Sequence, residues 1–180
     1  FLGLLIGVVL WSALERKWNW YWISVVLALL VKEDVALIVI PIGLWVALRR
    51  DLRRGAWTVV VSLGAMALMF LVVMRSFTGV AFRNSWRIPF GGFAGLFRVA
   101  FRQPLELWKY LTSDDRPKYL FQLLSPTALA FIAAPSVALT SAAVIGANLI
   151  STFWYQHQIG YHYSLVIVPS LMFGTVYGIA

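Results

Sequence analysis

Apolar residues fill seven stretches of the chain, 1–14, 18–31, 35–48, 56–74, 119–134, 136–150 and 164–180, and polar residues collect almost entirely between them. The separators are Glu15, Arg16 and Lys17, then Lys32, Glu33 and Asp34, the cluster RRDLRRG at 49–55, a mixed segment at 75–118, Pro135, and STFWYQHQIGYHY at 151–163. Stretches this apolar predict helices that cross hydrocarbon, at about 20 residues per crossing. The fold class expected is all-α: a polytopic transmembrane helical bundle, with 1–180 forming a single integral domain.

Lys32, Glu33 and Asp34 test that reading, because they interrupt sequence that is otherwise apolar from Trp18 to Leu48. One helix over 18–48 would be about 46 Å long against a hydrocarbon core of roughly 30 Å, with the three charges near its middle. Three charges at the centre of a span cost on the order of 8–10 kcal/mol. A hairpin avoids most of that cost and puts the triplet at a rim or in a cavity. Its arms, 18–31 and 35–48, are each only about 21 Å long. Arms this short predict a thinned bilayer or a wet pocket lined by protein. Pro41 is placed to kink the second arm.

The hairpin sets Arg16 and Lys17 on the same side as Arg49, Arg50, Arg53 and Arg54. The stretch 56–74 then carries the chain to the side of the triplet. A second short hairpin, 119–134 and 136–150 joined at Pro135, returns 151–163 to that side as well. Both polar clusters are therefore expected on one face. The charge count opposes an external assignment of that face, since Lys32, Arg75, Arg83, Arg87, Arg98, Arg102, Lys109, Arg116 and Lys118 would all lie there.

Within 75–118, read as an extracytoplasmic loop, the pattern changes. In FAGLFRVAFRQPLELWKYL, Phe93, Leu96, Phe97, Ala100, Phe101, Leu105, Trp108 and Leu111 recur at helical spacing, with Arg98, Arg102, Glu106 and Lys109 on the other face. This predicts an amphipathic helix lying in the membrane interface and bent at Pro104. Asp115 is placed to cap a following helix with Pro117 in its first turn.

Composition agrees with an integral protein: 61% of residues are hydrophobic and 12% charged, against roughly 45–50% and 25% in soluble domains. The mean hydropathy is +0.82. The chain starts and stops inside apolar sequence, and 1–14 lacks the basic leader and small-residue cleavage site of a signal peptide. A piece of a longer protein is expected. A net charge of +8 distributed between apolar segments points to phosphate-bearing lipid as the partner, not nucleic acid. With no cysteine, disulfides, thiolate metal sites and cysteine nucleophiles are excluded.

Ionisable groups at membrane depth are functional by default, so Lys32, Glu33 and Asp34 lead the candidates. A carboxylate there can act as a base or hold a divalent metal ion, and Lys32 can neutralise a phosphate. A polar turn whose charges pair with one another explains the same residues. His157, Tyr161, His162 and Tyr163 form a second cluster. The two histidines are five apart, which argues against a zinc pair on one helix face. Hydrogen bonding to a phosphate or sugar suits them, as does an aromatic belt at the headgroups. Arg75, Arg83 and Arg87 offer forked donors to a lipid phosphate. Asn148, in apolar surroundings, is expected to hydrogen-bond between helices. No glycine-rich phosphate loop, nucleophile elbow or dinucleotide fingerprint is present.

LLVKEDVALIVIPIGLWVALRR at 29–50, LLSP at 123–126, ANLIS at 147–151 and YHYSLVIVPSL at 161–171, in that order, resemble a group of bacterial predicted membrane proteins. That group carries a domain of unknown function, numbered 2079, and is placed near the GT-C glycosyltransferases. The resemblance implies a multi-pass protein of the bacterial cytoplasmic membrane with its long loop outside. It also implies transfer of a sugar from a polyprenyl-phosphate donor, using an acidic residue of a first external loop that would precede Phe1. No catalytic residue is therefore assigned within 1–180, and Lys32, Glu33, Asp34, Arg75, Arg83, Arg87, His157, Tyr161, His162 and Tyr163 are expected to bind substrate. A membrane transporter or lipid-handling protein is the alternative, for which interrupted helices around a midplane site would be the sign.

Overall fold

The computed structural model describes residues 1–179, except for the side chain of Arg83. Helices α1 (Leu2–Leu14) and α2 (Trp18–Leu29) pack against each other across the three-residue reversal at 15–17, where Arg16 takes a left-handed φ of 57°. A single 3-10 turn, Glu33–Val35, then leads into α3 (Ala36–Arg49), which carries Pro41 internally. The chain from 18 to 48 is thus broken at the charged triplet. No strand occurs among the described residues.

Asp51 starts the next helix, α4 (Leu52–Thr78), by accepting a hydrogen bond from the Arg54 backbone N–H at 2.9 Å. This satisfies one of the donors a helix N-terminus leaves open. The helix is longer than the expected stretch 56–74 and takes Arg53, Arg54 and Arg75 into its own turns. Its segment Met69–Met74 is π-helical. Arg75 accordingly belongs to the helix and not to the loop.

α4 inverts the usual pattern of burial. Its buried residues are Gly55, Thr58 and Ser62, while Trp57, Val60, Leu63, Leu68, Leu71 and Val72 are exposed. Only 11% of its most apolar 18 residues are buried, and among the described residues it is the one helix long and apolar enough to cross a membrane. Small residues let backbones approach closely where no hydrophobic drive separates helix from surroundings. Gly55 faces the backbone of Ala47, and Gly43 faces Thr58.

Beyond α4, a 3-10 turn Arg83–Arg87 precedes α5 (Phe93–Arg102) and α6 (Pro104–Leu111). The expected amphipathic helix is present as these two pieces. Gln103, at φ −139° and ψ 55°, breaks the rod just before Pro104, because proline disfavours a helical residue ahead of it. Phe93, Phe97, Phe101, Leu105 and Trp108 are all exposed along it.

The expected continuous helix over 119–134 is corrected. Helix α7 is Arg116–Leu124, and the chain then proceeds through 3-10 turns Ser125–Thr127 and Ala130–Ala133. Ala128 and Leu129 between them have φ of 46° and 60°, a left-handed conformation costing roughly 1–2 kcal/mol per residue. Pro126 lacks a backbone donor and ends α7 just ahead of it, a local signal that the reading of 119–134 as one apolar run did not use. Helix α8 (Pro135–Ile150) and helix α9 (Val168–Ile179) complete the molecule. The last helix begins later than 164 because a 3-10 turn, His162–Ser164, precedes it.

Successive segments run between two ends. Tyr21 and Thr58 share a hydrogen bond of 2.8 Å, and the Arg54 guanidinium lies 4.4 Å from the Trp18 ring centre. Arg16, Lys17 and Arg49 to Arg54 therefore gather at one end. Lys32 lies 5.4 Å from the Tyr163 ring centre at the other. The core is built from Ile6, Val9, Leu10, Tyr21, Val25, Ile38, Val39, Ile42, Val46 and Ile167. Helix α3 is central, touching α1, α2, α4 and α8.

Candidate functional site

At the end carrying Lys32, the 3-10 turn Glu33–Val35 stops α2 from continuing and holds the triplet half-buried. Lys32 Nζ donates to Asp34 Oδ2 at 2.6 Å. A cavity of about 410 Å³ opens beside them, lined by Lys32, Glu33, Asp34, Asn84, Arg87 and Gln156 on its polar side and by Phe70, Ile88, Phe93 and Leu96 on its apolar side. Lys32, Asp34, Leu37, Ala147 and Gln156 also line a neighbouring space of about 90 Å³ that holds His162, Tyr163 and Asn148. The two share a wall and form one cleft.

Each wall is fixed by bonds that cross elements. Asn148 on α8 donates to the Tyr119 hydroxyl on α7 at 3.0 Å, and Ser164 donates to the same hydroxyl at 3.3 Å. That is an interhelical bond at Asn148, of the kind its apolar setting demands. The His162 ring stacks on Tyr163 with centroids 4.3 Å apart. Gln156, oriented by a hydrogen bond with Ser151, projects between the two spaces. Thr152 N–H donates to the Arg87 carbonyl at 2.8 Å, which clips the loop after α4 to the loop after α8. The Arg87 guanidinium lies 4.5 Å from the Phe153 ring centre.

Not all the sequence candidates meet here. Arg75 is exposed in the last turn of α4 and lines neither space. The Arg83 side chain lies outside the described residues. Tyr161 packs on Trp154 and Tyr155, with ring centroids 5.6 and 4.6 Å away. His157 is buried over the start of α7, in a separate cleft of about 220 Å³ with Asp115, Lys118, Gln122 and Gln158. Burial first, and the charge of Arg116 second, push its pKa below the ordinary 6.5. Its Nδ1 has no hydrogen-bond partner. Among the described residues, no three His, Asp or Glu side chains come together as a metal site.

Arg116 is the residue that sequence reasoning passed over. Its side chain is only 3% exposed. It donates from Nε to the Leu149 carbonyl at 2.7 Å and from Nη2 to the Ser151 carbonyl at 3.1 Å, closing the C-terminal end of α8. It also donates from Nη1 to Asp114 Oδ2 at 2.6 Å, and this bond is the first cause holding the Asp114 carboxyl below the usual carboxylate range. A cation in the first turn of a helix opposes the helix dipole, and that misplacement was the available signal. Asp115 takes the N-cap position of α7 as expected, but its side chain makes no cap bond and instead accepts from Gln158 Nε2 at 3.2 Å.

An all-helical protein with an apolar exterior and a charged cleft at one end is what these features define. The chain belongs to the family described as predicted membrane protein (DUF2079), which matches it over residues 1–180. No curated protein and no solved structure matches it.

Proposed function

We propose that this is a multi-pass protein of the bacterial cytoplasmic membrane that binds a polyprenyl-phosphate-linked sugar at its Lys32 end, as a GT-C-like glycosyltransferase does. The cleft of about 410 Å³ carries the reading, because it sets Lys32, Glu33, Asp34 and Arg87 against Phe70, Ile88, Phe93 and Leu96. A lipid phosphate sugar has the same division, with an apolar tail, an anionic link and a hydroxyl-rich head. Arg87 and Lys32 face the phosphate, and Glu33 and Gln156 face the sugar. Transfer breaks the bond from sugar C1 to the phosphate oxygen and forms one from C1 to an acceptor hydroxyl oxygen, whose proton passes to a basic carboxylate; polyprenyl phosphate leaves, its charge stabilised by the two cations. The exposed apolar faces of α4, α5 and α6 contact lipid, and the crossings by short helices fit a locally thinned bilayer.

The purified chain in neutral detergent is mixed with a radiolabelled polyprenyl-phosphate sugar. Saturable binding is expected, weakened about tenfold or more by Lys32→Ala with Arg87→Ala, since charge-assisted bonds to phosphate are the strong ones. Absence of binding, or binding indifferent to both substitutions, removes the proposal. A lipid-handling protein is the second reading, favoured by the interrupted crossing through Ala128 and Leu129 and by the π-helical segment in α4. Movement of the bound lipid between leaflets of a vesicle without sugar transfer would select it.

A further inference from the structure

The opposite end of the bundle holds a further cleft, of about 420 Å³, between the C-terminal end of α3, the start of α8 and the end of α9. Its polar lining is made of donors: Arg49, Arg50, Trp45, Ser136 and Tyr177. No Asp or Glu lines it, and among the described residues neither arginine forms an ion pair, since the three pairs present involve Lys32, Arg54 and Arg116. Asp51, the carboxylate adjoining Arg50, is held by Arg54 at 2.7 Å.

Two buried donors at this cleft lack acceptors. Trp45 is 7% exposed, and neither its indole Nε1 nor Arg50 Nε has a hydrogen-bond partner. The Arg50 guanidinium lies over the Trp45 ring at 5.5 Å, so the two are presented together. Buried donors are normally satisfied, and an unpaired one costs about 1–3 kcal/mol. A phosphate in the cleft meets the forked guanidinium groups of Arg49 and Arg50, which match it in shape as well as charge, and a small turn of the Trp45 and Arg50 side chains brings the two buried donors onto its oxygens.

We infer that this cleft binds the phosphate group of an anionic lipid at the arginine-rich end of the bundle. The apolar part of the lining, which includes Leu14 and Val137, gives the lipid glycerol and upper chains a surface to lie on. The site is about one α3 length, roughly 21 Å, from Lys32 and uses none of the residues of the sugar-phosphate cleft. A failure there leaves this inference standing, and the reverse.

Native mass spectrometry of the full chain from neutral detergent tests it, with phosphatidylglycerol, phosphatidylcholine and inorganic phosphate as separate probes. One retained phosphatidylglycerol is expected, with phosphatidylcholine failing to compete. Arg49→Gln with Arg50→Gln should weaken retention about tenfold or more. Trp45→Phe, which keeps the ring and removes only the N–H, should weaken it about threefold. Arg53→Gln supplies the decisive control, because Arg53 is an exposed arginine of the same end outside the cleft. If it costs as much as the double substitution, or if both lipids bind alike, the attraction is diffuse surface charge and the inference is overturned. Retention of inorganic phosphate without phosphatidylglycerol overturns the lipid source. A thermal scan of each variant separates lost binding from lost folding.

Discussion

Both ends have tight reversals, at 15–17 and 50–51 on the arginine-rich side and at 30–35 on the Lys32 side, but the arginine-rich end adds only the short irregular segment 125–134, whereas the Lys32 end also runs through 79–115 and 151–167 before re-entering the bundle. The first end is ordered largely by local devices, the Asp51 cap and the small-residue contact of α3 with α4, with the Tyr21–Thr58 bond as its long-range tie. At the second, the short turn at 33–35 does not reach the long loops, which are ordered by side chains that reach 29–45 residues along the sequence, as Arg116, Asn148 and Ser164 do. Local order leaves a sharp mark in sequence and distant order leaves little. A site made of groups from several loops is accordingly found where the distant order is.

The largest disruption is expected at Gly55, whose added Cβ would collide with the Ala47 backbone. Gly55→Leu should separate α4 from α3 and cost about 3 kcal/mol or more, the upper range for overpacking. Gly64→Leu on the same helix meets nothing within 4 Å and should leave thermal stability in detergent nearly unchanged. Equal losses from the two would show that α4 is not anchored by its small residues and would dissolve the contrast between the ends.

Arg116→Met should come next, at about 2–3 kcal/mol, because it leaves the Leu149 and Ser151 carbonyls without a buried donor. Hydrogen exchange should quicken at 113–124 and 149–158 while 36–68 keeps its protection. Arg116→Lys keeps the charge but cannot reach two carbonyls and an acid together, so it should recover only part. Exchange that quickens evenly along the chain would mean the two ends unfold as one unit.

These two residues also mark how far sequence reasoning reached. Gly55 closes the polar separator 49–55, just before the stretch 56–74 where apolarity predicts a helix, so its place inside α4 went unread, whereas the charged triplet predicts the break between α2 and α3 because burying three charges in hydrocarbon is too unfavourable. The break at Gln103 follows from Pro104 by local sterics. By contrast, Pro126 marks an interruption nearby but does not specify the left-handed backbone that Ala128 and Leu129, ordinary helix-forming residues, adopt. Lys32, Asp34, Arg87 and His162 line the cleft or its annex. His157 does not, because a 3-10 turn directs it toward α7. Pairings set by three-dimensional return of the chain, such as Arg116 with Leu149, have no spacing rule to reveal them.

A smaller effect is expected at the Asp51 cap. Its carboxyl is held below the usual range, first by the Arg54 backbone N–H. A depressed carboxylate contributes stability that is present above its unfolded value and is lost as pH falls through its folded value. Asp51→Ala should lower the unfolding temperature slightly at pH 7, with the loss shrinking in strong acid. A constant loss at all pH would show that the cap acts without its charge.

The finest test uses His157, since burial and Arg116 disfavour its charged form in the fold. The sign differs from that of a histidine gaining an acidic partner. As pH falls below about 6.5 the unfolded chain takes up the proton first, so the loop end loses stability until the folded value is reached. Hydrogen exchange over 154–163 should therefore be faster at pH 5.5 than at 7.5 after correction for intrinsic rates, while 52–62 at the other end stays level. His157→Gln, which cannot titrate, should remove the difference and leave the loop order otherwise intact. If acid loosened both ends together in the native chain, the histidine would not be the cause. The change would then belong to the bundle as a whole, because the only histidines, His157 and His162, both lie at the Lys32 end.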